Sequence, residues 1–268
     1  MSTHRRLSLV IALSIVCAGL SVSPSRAADP PATVPTTDRL FLGFAEETAV
    51  IHTQWWEGQL ELTDGDPIDT IVARLVMALE PRPHLEFGAR VGFGTSDIPP
   101  LPSLEGSGAT DLDLWGKYDF GLVGKSTQLG AGGLVTIPTG DNTAGLGNDA
   151  FDFELFGSAR HQAKRAVFAG QIGLRFNGDG NVAGQDYSGA TSGFLGGAVI
   201  LPLSEQLSLI GELRYEGERI DDGDSDFRVL GGVNWRAFQR GVVRGAVAFG
   251  LSDGAPDAQF VAGYAYTF

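Results

Sequence analysis

The residues of this sequence most able to do chemistry are charged side chains that recur at every second position of otherwise apolar segments. Side chains alternate between the two faces of an extended strand, so these charged residues share one face. Charged groups that line a narrow passage select the solutes that enter it. The alternative role of these residues is to form ion pairs between strands that close the interior. The candidate lining residues are Arg74, Arg90, Asp111, Asp113, Asp152, Glu154, Arg175, Glu212, Arg214 and Arg228.

A second group of charges lies between these segments. The stretches 63–69, 95–108, 138–148, 177–189, 220–225 and 252–257 contain thirteen acidic residues and no lysine or arginine. Such a one-sided distribution sets a field that repels anions and favours neutral or cationic solutes. The main acidic candidates are Asp64, Asp66, Asp179, Asp221, Asp222 and Asp224. Divalent-cation binding at 177–179 or 221–224 is an alternative, but neither stretch has the spacing of a defined calcium loop, so no metal site is expected.

The histidines argue against catalysis. His52 precedes the regular pattern, and His84 and His161 lie next to short connections rather than beside a nucleophile. A hydrolytic site needs a nucleophile with an adjacent base, and a metal site needs clustered ligands. We therefore expect no enzyme activity, no catalytic residue and no cofactor. The net charge of −13 makes nucleic acid an improbable partner.

The elements that position these residues are short alternating strands separated by Gly, Pro, Asp and Asn clusters. We predict a single all-β antiparallel barrel, an up-and-down meander of about twelve strands. Away from the strand ends, one face of these strands carries no charged residue, and this face is rich in glycine, alanine and strand-end aromatics. Connections alternate between short and long. These features favour a transmembrane barrel with the apolar face outward. The predicted strands are 54–62, 70–80, 84–94, 109–120, 127–137, 149–160, 166–176, 190–201, 207–219, 226–236, 241–251 and 258–268.

The first residues predict export. Arg5 and Arg6 precede an uncharged apolar run over 7–20, and small residues around Ala27 suit a signal peptidase. We expect a signal peptide over 1–27, a periplasmic linker that could also plug the barrel over 28–53, and the barrel over 54–268. The one cysteine, Cys17, lies within the signal. These features predict a location in a bacterial outer membrane.

A resemblance to a known family comes from two stretches. Ile137-Pro138-Thr139-Gly140-Asp141 follows an apolar strand and precedes a Phe-rich one, and the sequence ends in Tyr264-Ala265-Tyr266-Thr267-Phe268. The first resembles outer-membrane proteins of the phenol-degradation meta-pathway type, a family of proposed transporters. The resemblance implies passage of aromatic or other small apolar compounds. The second resembles the C-terminal signature read by the barrel-assembly machinery, which implies that machinery as a partner through Phe268.

Together these features predict a channel for passive uptake or efflux of small molecules, with outer-membrane lipid and lipopolysaccharide around it. The alternative is a non-conducting barrel, closed by its own ion pairs, with a structural or surface-interaction role. A soluble periplasmic β-protein is a third interpretation. The charged inner face argues against a wholly apolar pathway.

Overall fold

The computed structural model describes residues 38–48, 54–65, 68–97, 106–124, 126–182 and 184–268. Described residues form no helix that is both long and apolar enough to cross a membrane. The strands are β1 (Gln54–Asp64), β2 (Asp69–Arg82), β3 (Leu85–Asp97), β4 (Gly106–Ala109), β5 (Leu112–Val123), β6 (Thr127–Ile137), β7 (Asp152–Gln162), β8 (Val167–Phe176), β9 (Gly180–Val182), β10 (Gln185–Tyr187), β11 (Thr191–Pro202), β12 (Leu207–Glu216), β13 (Asp226–Phe238), β14 (Gly241–Gly250) and β15 (Ala258–Thr267).

The sheet closes on itself. Each strand pairs antiparallel with its neighbour in the order β2-β1-β15-β14-β13-β12-β11-β8-β7-β6-β5-β3, and β2 also pairs with β3. The seam joins β1 to β15 from Trp55 opposite Thr267 to Asp64 opposite Ala258. Closure leaves no sheet edge, which is the only way for strands to satisfy their backbone groups in lipid. The prediction of one closed antiparallel barrel of twelve strands is confirmed within the described residues.

Two short pieces depart from the predicted strands. The predicted strand 109–120 is two strands, because β4 and β5 both pair with β3 and the ladder breaks at Thr110 and Asp111. The backbone N–H of Gly92 donates to the Thr110 hydroxyl at 2.9 Å, so the Thr110 side chain takes the place of one backbone acceptor of the ladder there. The small hairpin β9–β10 forms inside a stretch predicted as a loop.

Some predicted strand ends are also wrong. The seventh barrel strand begins at Asp152 rather than at 149, since Asp149 has a φ of 54° that a strand cannot hold. Asp64 was predicted in a loop and is the last residue of β1. β12 ends at Glu216, three residues before the predicted end.

Burial confirms which face is outside. Large apolar side chains of one face are open at the barrel surface, as with Phe120 at 63% and Ile172 at 64% exposure. Charged side chains of the other face are buried, with Glu57 and Arg244 at 1% and Glu154 at 0%. A barrel with an apolar exterior and a charged interior is the arrangement that a bilayer requires.

The interior packs aromatic rings over glycines that have no room for a side chain. A Cβ placed on Gly88 would lie 2.0 Å from the ring of Trp115, whereas one on Gly231 would meet nothing within 4 Å. Trp115 is 4% exposed and also donates its indole N–H to Glu86 at 3.1 Å. The ring therefore covers a bare stretch of backbone, in the way that aromatic residues rescue strand glycines.

We expect Gly88→Ala to lower the free energy of unfolding by ~1–3 kcal/mol, because Trp115 must leave its site to admit the methyl group. Gly231→Ala is the matched control and should change the free energy by less than ~0.5 kcal/mol. Urea unfolding of the refolded barrel, followed by tryptophan emission, measures both. Equal effects of the two substitutions would contradict this account of the packing.

Candidate functional site in the barrel interior

The barrel interior has two halves that differ in what fills them. We call the end of the barrel with connections 83–84, 124–126, 163–166, 203–206 and 239–240 the short-connection end, and the opposite end the long-connection end. Ion pairs between strands occupy the long-connection half. Residues 38–48, called here the inner segment, occupy the short-connection half.

Most predicted lining residues lie in the long-connection half and are paired. Arg74 binds Glu61 at 3.1 Å, and Arg90 binds Asp113 at 2.6 Å. The Asp113 carboxylate also accepts a hydrogen bond from the Thr136 hydroxyl at 2.8 Å. These are cross-strand contacts between adjacent barrel strands, so they fix the wall as well as charge the interior.

A larger network joins three further strands, β7, β8 and β12, and the connection that follows β12. Arg175 lies between Glu154 at 2.5 Å and Glu216 at 3.1 Å. Glu216 is also 3.6 Å from Arg214, while Arg219 pairs with Asp152 at 3.1 Å. The predicted residues Asp152, Glu154, Arg175 and Arg214 thus lie in one chain of contacts. Arg228 is separate and pairs with Asp226 of its own strand.

Asp111 lies between β4 and β5 rather than in a strand, and it holds the connection between β6 and β7. Its carboxylate accepts the backbone N–H groups of Gly140 and Asn148, both at 2.9 Å. The Ser96 hydroxyl donates to the carbonyl of Ala144 in the same connection. Ala144 is 2% exposed and packs with Val72, a side chain of the inner face. This connection therefore folds inward at the long-connection end.

The same connection orders an exposed carboxylate. The Thr143 hydroxyl donates to Asp141 at 2.6 Å, and the backbone N–H groups of Thr143 and Ala144 donate to it at 3.0 and 3.2 Å. The Thr143 hydroxyl, followed by these backbone donors, lowers the pKa of Asp141.

The wall binds the main chain of the inner segment. The Glu212 carboxylate accepts three consecutive backbone N–H groups, from Phe41 at 2.6 Å, Leu42 at 2.9 Å and Gly43 at 3.3 Å. Arg244 donates to the carbonyls of Arg39 and Leu40 at 2.6 and 2.8 Å. The wall thus supplies the partners that buried backbone groups require and that a single turn cannot supply for itself.

Further main-chain contacts of the inner segment come from Asn234, which donates to the Arg39 carbonyl at 3.4 Å, and from other basic side chains. Lys117 donates to the carbonyl of Glu47 at 2.6 Å, and Arg160 and Arg214 reach the carbonyls of Asp38 and Leu42 at 3.4 Å. Within the segment, the Glu47 N–H donates to the carbonyl of Gly43 at 3.0 Å, which closes a turn. The segment is therefore attached to strands on opposite sides of the interior.

Side chains of the inner segment complete the attachment. Arg39 pairs with Glu86 at 3.1 Å, Glu47 with Arg160 at 3.0 Å and Glu46 with Arg214 at 2.5 Å. Phe44 packs against Trp55 and Trp115 at ring distances of 6.2 and 5.9 Å. The segment fills the short-connection half with both ion pairs and aromatic contacts.

Arg244 connects the segment to the wall. It is 1% exposed. It binds Glu57 at 2.7 Å and Asn234 at 3.0 Å, and its guanidinium lies 4.2 Å from the centre of the Phe41 ring. The charge of Arg244 is therefore offset by Glu57. The guanidinium also donates to Asn234 and to backbone carbonyls, and one of its faces lies against an aromatic ring.

The acidic candidates of the connections do not converge. Asp64, Asp179, Asp221, Asp222 and Asp224 are exposed, and Asp66 lies outside the described residues. Asp179 accepts the N–H of Gly189 at 2.9 Å, which serves the connection itself. Among described residues, no group of three or more histidine, cysteine or acidic side chains could hold a metal ion. His161 contacts the Thr127 hydroxyl at 2.9 Å, His84 lies 3.7 Å from Asp119, and His52 lies outside the described residues.

Several residues that attach the inner segment were absent from the predicted set, although the alternation pattern already placed most of them on the charged face. The alternation pattern shows which side chains face the interior, but it does not show which of them bind the inner segment. The added residues are Glu86, Lys117, Arg160, Ser208, Asn234, Arg236 and Arg244.

Comparison with known proteins shows the fold alone. No protein-family model matches the chain, and no curated protein matches its sequence significantly. A crystal structure of an outer membrane channel from Pseudomonas putida F1 superposes with a TM-score of 0.70 at 14% identity, over 86% of this chain and 100% of that one. The KdgM porin bound to disordered oligogalacturonate gives a TM-score of 0.57 at 10% identity, over 80% and 99%. The NanC porin gives 0.55 at 9%, over 80% and 100%.

Proposed function

We propose that this protein is an outer-membrane channel for the passive movement of small molecules, and that the inner segment closes it in the state described here. The observation that carries the proposal is what fills the barrel. The exterior is apolar and the interior is charged, and the inner segment fills the short-connection half, where hydrogen bonds and ion pairs hold it to the wall. A purely structural barrel can close itself with side chains alone. A separate segment can leave and return.

Several features support the membrane location. The exposed outer face carries Leu60, Leu75, Leu155, Ile172 and Leu195 along the strands and Phe120, Tyr215 and Phe268 near strand ends. Apolar bands bounded by aromatic residues match the hydrocarbon region and its interfaces. On this proposal, lipid and lipopolysaccharide cover the outer face, the short-connection end faces the periplasm, and the strand ending in Phe268 is read by the barrel-assembly machinery.

The solute class follows from the interior and from the resemblance to the phenol-degradation meta-pathway type. Membership of that family, with aromatic compounds as solutes, is part of the proposal. Phe156 and Phe194 face the interior at 5% and 2% exposure, next to the Arg175 network, so an aromatic solute would meet both rings and charges. The three similar solved structures named above are channels and porins, which supports transport rather than catalysis.

A non-conducting barrel is the second candidate function. The observation in its favour is the density of ion pairs in the long-connection half, where Arg74, Arg90 and Arg175 are each bound to an acid. On this alternative the inner segment is a permanent part of the core.

Planar-bilayer conductance of the full-length refolded protein separates the two functions. Gly43→Pro removes an N–H that Glu212 accepts and adds atoms where a Cβ would lie 2.1 Å from Gln171 Nε2. We expect the wild type to give rare openings and Gly43→Pro to give frequent ones. Leu42→Met keeps its N–H and serves as the control, with the wild-type pattern.

Each other outcome has a definite meaning. Stably inserted wild type and Gly43→Pro that are both silent would overturn the channel and leave the structural role. Equal, frequent openings of wild type and Gly43→Pro would keep the channel but overturn closure by the inner segment.

A further inference from the structure

The contacts between the inner segment and the wall are unequal in charge. Among the described residues, five basic side chains of the wall bond directly to the segment, and two acidic ones do, Glu86 and Glu212. The five basic residues are Lys117, Arg160, Arg214, Arg236 and Arg244. The segment has the opposite excess, with Asp38, Glu46 and Glu47 against Arg39. Lys117 and Arg244 keep a wall acid without the segment, since they bind Glu86 at 3.2 Å and Glu57 at 2.7 Å, so the segment offsets mainly the charges of Arg160, Arg214 and Arg236.

Each carboxylate of the segment binds a different arginine. Asp38 meets Arg236 at 2.5 Å on β13, and its other oxygen accepts the Ser208 hydroxyl at 2.7 Å. Glu46 meets Arg214 at 2.5 Å on β12, and Glu47 meets Arg160 at 3.0 Å on β7. All three carboxylates are nearly fully buried. The wall therefore presents three arginine sites that already hold carboxylates out of water.

A buried guanidinium that loses its carboxylate is costly unless another anion replaces it, because desolvation is no longer offset by the ion pair. Its planar fork matches a carboxylate better than a spherical ion does. Arg214 also has Glu216 at 3.6 Å, but Arg160 and Arg236 have their salt bridges among described residues with the segment alone. Departure of the segment therefore leaves buried guanidinium groups without an ion-pair partner, which favours the binding of another carboxylate.

We propose that Arg160 and Arg236, which both bond to Asp38, form a binding site for small organic polycarboxylates, and that the inner segment is its intramolecular competitor. This inference rests on the proposed channel function and names its solute class. It opposes the cation preference expected from the acidic connections. Those acids are exposed and screened by salt, whereas the arginines are largely buried, so the interior should dominate selection.

Tryptophan emission of the full-length protein in detergent micelles tests binding without any conductance. Trp55 and Trp115 contact Phe44 of the segment, so displacement of the segment changes their surroundings. Tricarballylate is titrated at constant ionic strength, with sodium sulfate as the comparison. We expect a saturable change with tricarballylate alone, and tighter apparent binding to Gly43→Pro and to the double variant Glu46→Gln/Glu47→Gln.

Variants of the arginines complete the test. Arg160→Gln and Arg236→Gln should each weaken binding about tenfold, the loss expected for one charge-assisted contact. Arg165→Gln is the control because it removes one positive charge from an exposed side chain of the 163–166 connection, and it should bind as the wild type does. The double segment variant leaves the wall intact, so it still tests the site if an arginine variant does not fold.

Three results would overturn the site. These are an equal response to sulfate and tricarballylate, unchanged binding in folded Arg160→Gln or Arg236→Gln, and unchanged binding when the segment carboxylates are removed. A silent bilayer together with saturable tricarballylate binding would refute the channel and leave the site, so the two failures are distinguishable.

Discussion

Arg244→Met is expected to lower the free energy of unfolding by ~3–5 kcal/mol, because it leaves the Glu57 carboxylate buried without a counter-charge. Arg244 and Glu57 are both 1% exposed and lie 2.7 Å apart. The same substitution also removes the donors to the carbonyls of Arg39 and Leu40. The effect therefore combines loss of a buried ion pair with partial release of the inner segment.

Arg228→Met is the matched control. Arg228 is an inner-face arginine, but its side chain is 26% exposed and its partner Asp226 is 17% exposed. Exposed pairs are worth at most ~1 kcal/mol. Urea unfolding of both variants in the same lipid, followed by the shift between folded and unfolded bands on gels, measures the difference. An Arg244→Met barrel as stable as Arg228→Met would refute the structural role given to Arg244.

The second large effect is expected on the outer face. Leu195→Arg should cost ~2–4 kcal/mol of folding free energy in a bilayer, because it places a charge in the hydrocarbon region. Leu195 lies in the middle of β11 with 55% exposure and points away from the interior. The cost comes from lipid and not from packing, so it should be much smaller in detergent micelles, where water can reach the charge.

Leu203→Arg provides the control for depth. Leu203 has a similar exposure of 57% but follows the end of β11, in a short connection. A charge near the interface costs only ~0–1 kcal/mol. Refolding into vesicles of fixed thickness measures both variants. Equal costs at the two positions would mean that the band around Leu195 is not in the hydrocarbon, which would undermine the membrane location.

The fold was predictable because it depends on a local rule. A period of two residues assigns each side chain to one face, and a charge-free face is apparent from the sequence without any partner strand. The pairs Arg90–Asp113 and Glu154–Arg175 join residues that this facing places on the inner side, and the register of adjacent strands sets them opposite each other. The break at Thr110 and Asp111 was not predictable from local rules. It depends on the Thr110 hydroxyl and the Asp111 carboxylate, which accept hydrogen bonds from the backbone N–H groups of Gly92, Gly140 and Asn148.

The inner segment was predictable only as one alternative. Its sequence has no period of two and too few residues for a helix, so local rules give a linker or a plug. Its partners lie far along the chain, as with Glu212 for Phe41 and Arg244 for Leu40. Two charged clusters, Asp38-Arg39 and Glu46-Glu47, on either side of an apolar stretch were the available signal. Which wall residues they select depends on barrel closure.

The position of the inner segment also imposes an order of assembly. The segment comes before β1 in the chain, yet its partners Glu212, Asn234 and Arg244 come from β12, β13 and β14. Its binding surface is complete only when β1 meets β15 at the seam. Contacts between such distant residues are slow to form, since a long loop must close first. The first described residues of the chain are therefore among the last to reach their final place, and the newly closed barrel exists for a time with an empty interior.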